Sequence, residues 1–519
     1  MTDNTPPKPN PSTAVADTLP PLWAKVIDHT RCIGCHACTT ACKSENEVPL
    51  GVTRTYVKYV DVGRFPTARR AFQVTRCNQC DDAPCVAACP TSAMYRRPDG
   101  IVDFDKAVCI GCKACIAACP YDAIFINPED HSAEKCNFCA HRLDIGLEPA
   151  CVVVCPTEAI LVGDLRDKTS RVGQLVEREP VTVRRPEKET RPKLFYKGAH
   201  QATLDPLAAR RPDGGLLMWS EQGGGPGMVV SGHPGSGNSS AAAVLAYDIP
   251  HQMPWDWRVS LYTWTKSVAA GAYLVPLMLV MLGLVSAHSP LWQWVAPTVA
   301  IVFLGVTGVL LIADLEHPGR FLLIFARPQW RSWLVRGAVI ITAYGALLGG
   351  HMVLSWVGPA GGERWLRWPG LVLAVLTAVY TAYLFAQARG RDLWQSAALP
   401  HHLLVQAVMA GSAVMMLTAY RWEPQALVAV SWTAGGACAL HLGLVTWEVT
   451  VGHATAHARL AVREMVRGRY AAWFWTGAVL AGMGAAAPWI GLAAVPCTLA
   501  GLLAHEHAYV QAGQSVPLA

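Results

Sequence analysis

The stretch CIGCHACTTAC at residues 32–42 returns almost unchanged as CIGCKACIAAC at residues 109–119. Its C-x2-C-x2-C-x3-C spacing allows one tight loop to offer three thiolates to a [4Fe–4S] cube, while the fourth cysteine points toward a second cluster. Two further groups of four cysteines lie between and after these repeats. The sixteen cysteines are Cys32, Cys35, Cys38, Cys42, Cys77, Cys80, Cys85, Cys89, Cys109, Cys112, Cys115, Cys119, Cys136, Cys139, Cys151 and Cys155. Since every ligand position is a cysteine, we expect four [4Fe–4S] clusters and no [3Fe–4S] cluster.

Two other uses of cysteine fit this pattern poorly. Zinc ribbons pair two C-x2-C motifs roughly 15–20 residues apart and do not use runs of three closely spaced cysteines. Disulfide scaffolds are small domains of oxidising compartments. The cysteine groups therefore indicate iron–sulfur clusters, whose assembly needs reduced thiols.

The composition indicates that the protein is also associated with a membrane. The chain has 519 residues, of which only 15% are charged, and it contains 19 tryptophans. Its mean hydropathy of +0.26 is high for a soluble protein, and tryptophan favours membrane interfaces. A net charge of +6 without a basic stripe argues against nucleic acid as a partner.

Shifts in composition divide the chain into four parts. We expect a disordered tail at residues 1–21 and an α+β ferredoxin-like cluster domain at residues 22–197. A Gly/Pro/Ser-rich linker at residues 198–250 and an all-α polytopic membrane domain at residues 251–519 follow. The tail shows neither the apolar segment of a signal peptide nor a twin arginine, so no export signal is expected.

The last part reads as about eight transmembrane helices, each near the ~20 residues that cross a bilayer. The predicted spans are 266–287, 291–313, 333–356, 368–388, 400–420, 425–449, 471–486 and 488–506. The last two are short and nearly continuous, so seven helices are the alternative.

Residues 23–197 resemble a known family, the electron-transfer subunits of molybdopterin oxidoreductases of the dimethyl-sulfoxide-reductase and polysulfide-reductase type. The four cysteine groups, Gly163-Asp164-Leu165 and the segment at residues 191–196 carry the resemblance. It implies that the last cysteine of each group binds a neighbouring cluster. The implied sets are Cys32, Cys35, Cys38 with Cys155; Cys136, Cys139, Cys151 with Cys42; Cys77, Cys80, Cys85 with Cys119; and Cys109, Cys112, Cys115 with Cys89. The last of these would be nearest a quinone.

The second half is similar to the NrfD family, the quinone-reactive membrane subunits of polysulfide reductase and its relatives. The similar segments are Asp314–Phe321, Arg327-Pro328, Ser332-Trp333 and Ala512–Leu518. The chain then resembles a fusion of two subunits that are usually separate. The resemblance implies a quinone or quinol as a reactant and a molybdopterin-type catalytic subunit as a partner.

Ionisable groups at membrane depth are costly and are candidate functional residues. We expect a quinone site at Tyr262, Lys266, Asp314, His317 and Arg320, where protons and hydrogen bonds can reach the headgroup. The alternative is an interfacial ion pair such as Asp314 with Arg320.

Further polar residues lie deeper in the predicted spans. They are Tyr344, His351, Tyr380, His441 and Glu448, which could relay protons or simply pack. His401, His402, His505 and His507 are expected at an interface. His351 and His441 lie at unmatched depths, which argues against a haem held by both.

The predicted function is an electron-transfer and quinone-reactive membrane subunit of an oxidoreductase, whose substrate site lies on a partner chain. Two alternatives remain: an anchor that only tethers a ferredoxin relay, or a part of a quinol-oxidising complex like alternative complex III. We predict an inner-membrane protein with its cluster domain on the cytoplasmic side. Nine arginines lie in loops on that side and three in loops on the other.

Overall fold

The computed structural model describes residues 19–63, 66–210, 243–357 and 361–519. Most of the predicted tail, residues 1–18, and residues 211–242 of the predicted linker lie outside the described residues. The described chain consists of a small α+β unit followed by a bundle of long helices, which is the predicted fold class.

The α+β unit is built from four small sheets and short helices. Its central sheet has the order β8-β1-β10-β9, with β1 parallel to β10 and antiparallel to β8. The strands are β1 (Trp23–Asp28), β2 (Thr55–Val62), β3 (Arg69–Arg76), β4 (Met94–Arg96), β5 (Val102–Phe104), β6 (Ile124–Ile126), β7 (Ala133–Lys135), β8 (Ile160–Asp164), β9 (Val181–Thr182), β10 (Leu194–Lys197) and β11 (Val244–Tyr247). The short helices are α1 (Ala37–Glu45), α2 (Pro84–Ala88), α3 (Ala114–Ala118), α4 (Ala140–Leu143), α5 (Ala150–Val153), α6 (Arg171–Arg178) and α7 (Gln201–Leu204).

The sequence repeat is also a structural repeat. Gly34 and Gly111 have φ of 70° and 68°, and His36 and Lys113, two residues later, have φ of 57° and 61°. These left-handed turns fold the backbone tightly enough for three closely spaced cysteines to face one point before α1 or α3 begins. A Cβ at Gly111 would also collide with the side chain of Glu316 in the helical half, so glycine is required here by two constraints.

The segment leading into the bundle belongs to the α+β unit. β11 pairs antiparallel with β2, which pairs with β3. The described ends of the predicted linker therefore include a helix, α7, and a strand, β11. The strand places this segment against the cluster-bearing unit only ten residues before the first long helix begins at Trp257.

Seven helices among the described residues are long and apolar enough to cross a bilayer. They are Trp257–Met281, Leu291–Ala313, Trp333–Val357, Gly362–Ala386, Leu399–Trp422, Pro424–Thr450 and Ala487–Gln514. Their main helical segments are α8 (Trp257–Met281), α9 (Ala296–Ala313), α11 (Trp333–Val357), α12 (Arg367–Ala386), α13 (Leu399–Trp422), α14 (Leu427–Thr450) and α18 (Ala494–Gln514). The shorter helices are α10 (Leu323–Ala326), which precedes α11, and α15 (Ala456–Val466), α16 (Ala471–Ala485) and α17 (Ala487–Ile490), which precede α18.

The prediction of about eight spans corresponds to these seven helices and the shorter α16, which is apolar and has 15 residues. Contacts between the ends of the bundle indicate that α16 is the eighth crossing. Trp255, just before α8, donates its N–H to Gln514 at the end of α18, and Gln511 donates to the carbonyl of Asp256 at 3.2 Å. Because the first helix begins and the last one ends on the same face, the described bundle from α8 to α18 crosses an even number of times.

Small residues allow the helices to approach closely. Gly271 in α8 lies against Ala407 and Gly411 in α13, and a Cβ at either glycine would overlap the backbone of the other helix. Gly477 in α16 and Gly501 in α18 make a similar approach. Such small-residue contacts are the usual basis of helix packing in lipid, where the hydrophobic effect no longer favours association.

Exposed tryptophans mark the two ends of the bundle. Trp365, Trp422 and Trp489 are exposed at the end away from the cluster-bearing unit, and Trp257 and Trp330 are exposed at the near end. Two aromatic belts are typical of a multi-pass membrane protein, because the indole ring is apolar and its N–H remains in the wet interface.

Candidate functional site

The sixteen cysteines of the α+β unit converge on four places, and none of them is in a disulfide. In three places a small cavity is lined by four cysteines, three from one group and one from another. Site I comprises Cys32, Cys35, Cys38 and Cys155. Site III comprises Cys77, Cys80, Cys85 and Cys119. Site IV comprises Cys109, Cys112, Cys115 and Cys89.

The remaining four cysteines form site II. The side-chain amide of Asn46 lies 3.7 Å from the Sγ atom of Cys42 and 3.6 Å from that of Cys139. Cys42 is also close enough to Cys136 and Cys151 for their charges to interact. Every site thus contains the three cysteines and the exchanged fourth one that the family resemblance implies.

The chemistry of these sites suits a cube of iron and sulfide. Four thiolates converge without a disulfide, and backbone amides face several sulfur atoms: Ala159 N lies 3.2 Å from Cys155 Sγ, and Met94 N lies 3.4 Å from Cys89 Sγ. Amide N–H groups directed at sulfur stabilise the negative charge of a thiolate-bound cluster. The residues present therefore fit [4Fe–4S] clusters.

Site II carries an additional feature that the sequence did not suggest. Arg76, which is 1% exposed, places its Nη1 atom 3.0 Å from Cys151 Sγ, and Lys25 Nζ lies 3.8 Å from the same sulfur. Burial alone would raise the pKa of Cys151, but the two cations outweigh it and lower that pKa to about 7. Two buried positive charges therefore stabilise a thiolate at this site.

The predicted quinone residues divide into two groups. Asp314, His317 and Arg320 lie in the loop after α9 and contact the α+β unit. Arg320 Nη1 donates to the carbonyls of Cys109 at 2.9 Å and Lys106 at 3.0 Å, and the His317 amide donates to the carbonyl of Ile110 at 3.2 Å. This loop therefore holds site IV against the membrane domain.

Asp314 is paired with the α+β unit, and the alternative pairing with Arg320 suggested by the sequence does not occur. Lys113 Nζ lies 3.5 Å from Asp314 Oδ1 and 3.1 Å from Glu316 Oε1. Burial raises the pKa of Asp314 to about 6, although the Lys113 cation opposes that shift. Lys113 directly follows Cys112, so the paired carboxylates lie beside the cluster site.

Tyr262 and Lys266 lie inside the bundle, on α8, and are almost completely buried. Lys266 Nζ donates to the carbonyl of Ala378 at 2.5 Å and lies 5.4 Å from the centre of the Tyr380 ring. Tyr262 is close enough to Asp314 for the two to interact electrostatically. Tyr262 is thus the member of the bundle group nearer to Asp314, and Lys266 lies one helical turn deeper.

The deeper histidines do not share one place. The Nδ1 atom of His351 and the hydroxyl of Tyr273 share a hydrogen bond of 3.0 Å, and the His351 ring packs against Trp292. His441 instead packs with His402 and His505, both of which are 3% exposed where the sequence led us to expect an interface. A haem held by His351 and His441 would require the two rings to face each other, and they do not.

Two family models match the chain. A 4Fe-4S dicluster domain matches residues 69–165, and the family called Polysulphide reductase, NrfD matches residues 248–500. The thiosulfate reductase electron transfer subunit PhsB of Salmonella typhi is 50% identical over 157 residues, which cover 29% of this chain and 82% of that protein. The protein described here belongs to the same family of iron–sulfur subunits.

Other members of this iron–sulfur family match the same third of the chain. Protein NrfC of Escherichia coli is 43% identical over 176 residues, which cover 33% of this chain and 79% of that protein. A polysulfide reductase protein of Wolinella succinogenes is 42% identical over 176 residues, 33% of this chain and 92% of that protein. The chain therefore joins an iron–sulfur subunit of this family to an NrfD-type membrane domain, as the sequence indicated.

Proposed function

We propose that the chain passes electrons through four [4Fe–4S] clusters, held by the sixteen cysteines, between a catalytic partner and a membrane quinone. The observation that carries this proposal is the contact between site IV and the membrane domain. Trp255 donates to the carbonyl of Cys112, and Arg320 donates to that of Cys109. A relay whose last site lies on a quinone-reactive domain has an evident acceptor or donor.

The protein matrix suggests the order of the relay. Sites I and II exchange cysteines, because α1 supplies Cys38 to one and Cys42 to the other. Sites III and IV do the same through Cys85 and Cys89. Gln79, beside site III, donates to the carbonyl of Cys136 in site II at 2.7 Å. The order I–II–III–IV follows, with site I at the end of the relay opposite site IV.

The far end of the relay has the properties of a docking surface. Cys35 of site I is exposed, and several large apolar side chains next to sites I and II are exposed to solvent: Ile33, Leu50, Ile145, Leu147, Val153 and Val154. Apolar side chains grouped at one end of a soluble unit mark an interaction surface. We assign it to the catalytic subunit, of the molybdopterin type that the family resemblance implies.

At the near end, Asp314, His317 and Tyr262 would act on the quinone headgroup. The clusters supply single electrons, and quinone reduction also consumes two protons. A carboxyl whose pKa is about 6 can exchange a proton near neutral pH, and the buried Nε2 atom of His317 has no hydrogen-bond partner. Arg320 positions the cluster-bearing unit, and Lys266 offers a cation deeper in the bundle.

The test compares quinone-linked turnover with turnover by an artificial dye that takes electrons from the clusters. We expect Asp314→Asn or His317→Ala to lower quinone-linked turnover by at least about tenfold, the low end of a lost acid–base contribution. Iron content and dye-linked turnover should be preserved. Arg364→Ala, at the opposite end of the bundle, is the matched control.

Full quinone activity in both variants would place the site elsewhere and favour the anchor interpretation. Loss of the clusters in either variant would show that the loop acts only as a structural contact. Co-purification of a cytochrome, with no molybdopterin protein, would favour the quinol-oxidising alternative.

A further inference from the structure

Three histidines from three helices meet inside the membrane domain. His402 on α13, His441 on α14 and His505 on α18 are 1–3% exposed, and one ring nitrogen of each lies within 4.8 Å of the other two. Outside the four cysteine sites, it is the one group of three or more potential metal ligands found among the described residues. Neither the proton transfer proposed at Asp314 nor the cluster sites make use of it.

The spacing of the rings is that of ligands around one ion. Ring centres are 5.2 Å apart for His402 and His441, 5.7 Å for His402 and His505, and 4.7 Å for His441 and His505. Three imidazoles on a tetrahedral ion with Zn–N bonds of ~2.0–2.1 Å have ring centres roughly 5 Å apart. Small ring rotations would bring the nitrogens from their present separations to the ~3.3 Å that this geometry requires.

The hydrogen bonding around the three rings is incomplete on the inner side. His402 Nδ1 faces a carboxylate oxygen of Glu448 at 3.5 Å, while its Nε2 atom has no partner. His441 Nδ1 and Glu448 Oε1 are also buried without a partner. Leaving such atoms unpaired in a membrane interior costs free energy. A carboxylate behind a histidine, with the other ring nitrogen free, is the arrangement that orients metal-binding histidines.

The charges nearby suit a divalent cation. The imidazoles are neutral ligands, and the carboxylates of Glu448 and Glu506 lie close by; Glu506 interacts electrostatically with His402 and with Lys266. Imidazole donors suit zinc and its neighbours in the transition series, whereas magnesium and calcium prefer oxygen. The surroundings thus offer nitrogen ligands and compensating negative charge together.

We propose that His402, His441 and His505 bind a divalent transition metal, with Zn²⁺ as the representative ion, and that Glu448 orients His402 or completes the coordination. The ion ties α13, α14 and α18 together near the end of the bundle that carries the iron–sulfur sites. The inference does not depend on the quinone assignment.

The experiment uses the full-length protein, purified with its clusters, exposed to Zn²⁺ and washed with a chelator. We expect about one zinc per protein molecule, and a zinc K-edge absorption spectrum with nitrogen neighbours at ~2.0–2.1 Å and imidazole outer shells. His441→Gln and His505→Gln should each lose this zinc while keeping their iron. His351→Gln, a buried histidine of the same domain, should keep it.

Three results would overturn the proposal. The wild-type protein could hold no more zinc than His441→Gln, or its zinc could show sulfur neighbours, which would mean that it occupies vacated cysteine sites. Third, the protein could hold no zinc while His441→Gln and His505→Gln lower quinone-linked turnover. That result would assign the three histidines to proton transfer. A variant that loses both iron and zinc is replaced by His402→Gln, judged by the same zinc measurement.

Discussion

At the scale of single residues, site II is the described cluster site in which buried cations lie within hydrogen-bond distance of a cysteine sulfur. Arg76 and Lys25 lie 3.0 Å and 3.8 Å from the sulfur of Cys151. An added electron makes a cluster more negative, so a fixed positive charge within a few ångströms favours the reduced form. The cluster at site II should therefore have a higher reduction potential than it would without them.

We predict that Arg76→Gln lowers the midpoint potential of one of the clusters by tens of millivolts. Removing a charge at this distance costs on the order of 1 kcal/mol or more, and a tenfold change in a one-electron equilibrium corresponds to about 59 mV. Potentiometric titration followed by electron paramagnetic resonance measures the shift. Arg70→Gln removes an exposed arginine paired with Asp61 and should leave all potentials in place; equal spectra and potentials in the two variants would contradict the assignment.

The site residues that the sequence predicts differ physically from those that it does not predict. Cysteine spacing is local, so one loop suffices to predict three ligands of each site. Arg76 reaches Cys151 across 75 residues, and His402, His441 and His505 come from three helices. The polar face of α14, with His441 and Glu448 two turns apart, was visible in the sequence. Its partners on α13 and α18 depend on how the helices pack, which the sequence alone does not give.

At the scale of secondary-structure elements, the segment between β11 and α8 is fastened to the cluster-bearing unit by His251. This ring lies between the carboxylates of Asp122 and Asp248. Burial alone would lower the pKa of His251, but the two carboxylates outweigh it and raise that pKa to about 10. The segment therefore depends on a protonated histidine well above the pH at which histidine usually loses its proton.

This gives a pH dependence with a definite sign. Because the folded-state pKa is raised from 6.5 to about 10, the stabilisation is fully present below about pH 6.5 and is lost as the pH rises through 10. We predict that the midpoint temperature of thermal unfolding decreases as the pH rises from 7 to 10. In His251→Gln it should be lower at pH 7, by the equivalent of ~3 kcal/mol for a broken buried pair, and should change less with pH.

The matched comparison is His141→Gln, whose ring pairs with Glu45 at the surface. Exposed pairs contribute ~0–1 kcal/mol, so this variant should keep the wild-type pH profile. An unchanged profile in His251→Gln would show that another group governs the alkaline loss of stability.

Hydropathy located all eight apolar segments of the bundle, but it misplaced the start of the first. The predicted span begins at residue 266, whereas α8 begins at Trp257. Asp256 caps this helix by accepting from the Arg258 amide at 2.8 Å. The polar side chains of its first turns are buried against other helices, as Thr265 is against Thr307 of α9. A hydropathy window detects segments that favour lipid, so it cannot recognise an extension of a helix that packs on protein. β11 was missed for a related reason: four residues after a glycine-rich stretch form a strand only because β2 offers an edge.

At the scale of the whole molecule, the even number of crossings and the distribution of arginine together predict the orientation. Loops on the side of the cluster-bearing unit contain nine arginines and the opposite loops contain three, so we propose that this unit faces the cytoplasm. Epitope tags inserted at Gly452 and at Gly361 test this proposal in intact spheroplasts. We expect only the tag at Gly361 to be accessible to antibody.

Accessibility of the Gly452 tag alone would reverse the orientation. Accessibility of both tags, in cells shown to be intact, would instead contradict the three crossings that separate them, α12, α13 and α14.

The short covalent connection from β11 to α8 also determines how the cluster-bearing unit and the membrane domain associate. A short covalent connection gives two surfaces an effective concentration in the millimolar range, whatever the abundance of the protein. The contacts of Lys113 and Arg320 then keep site IV docked, because the covalent connection prevents the two surfaces from diffusing apart. In this protein, one-to-one stoichiometry between the relay and the bundle is a property of the polypeptide and does not depend on affinity.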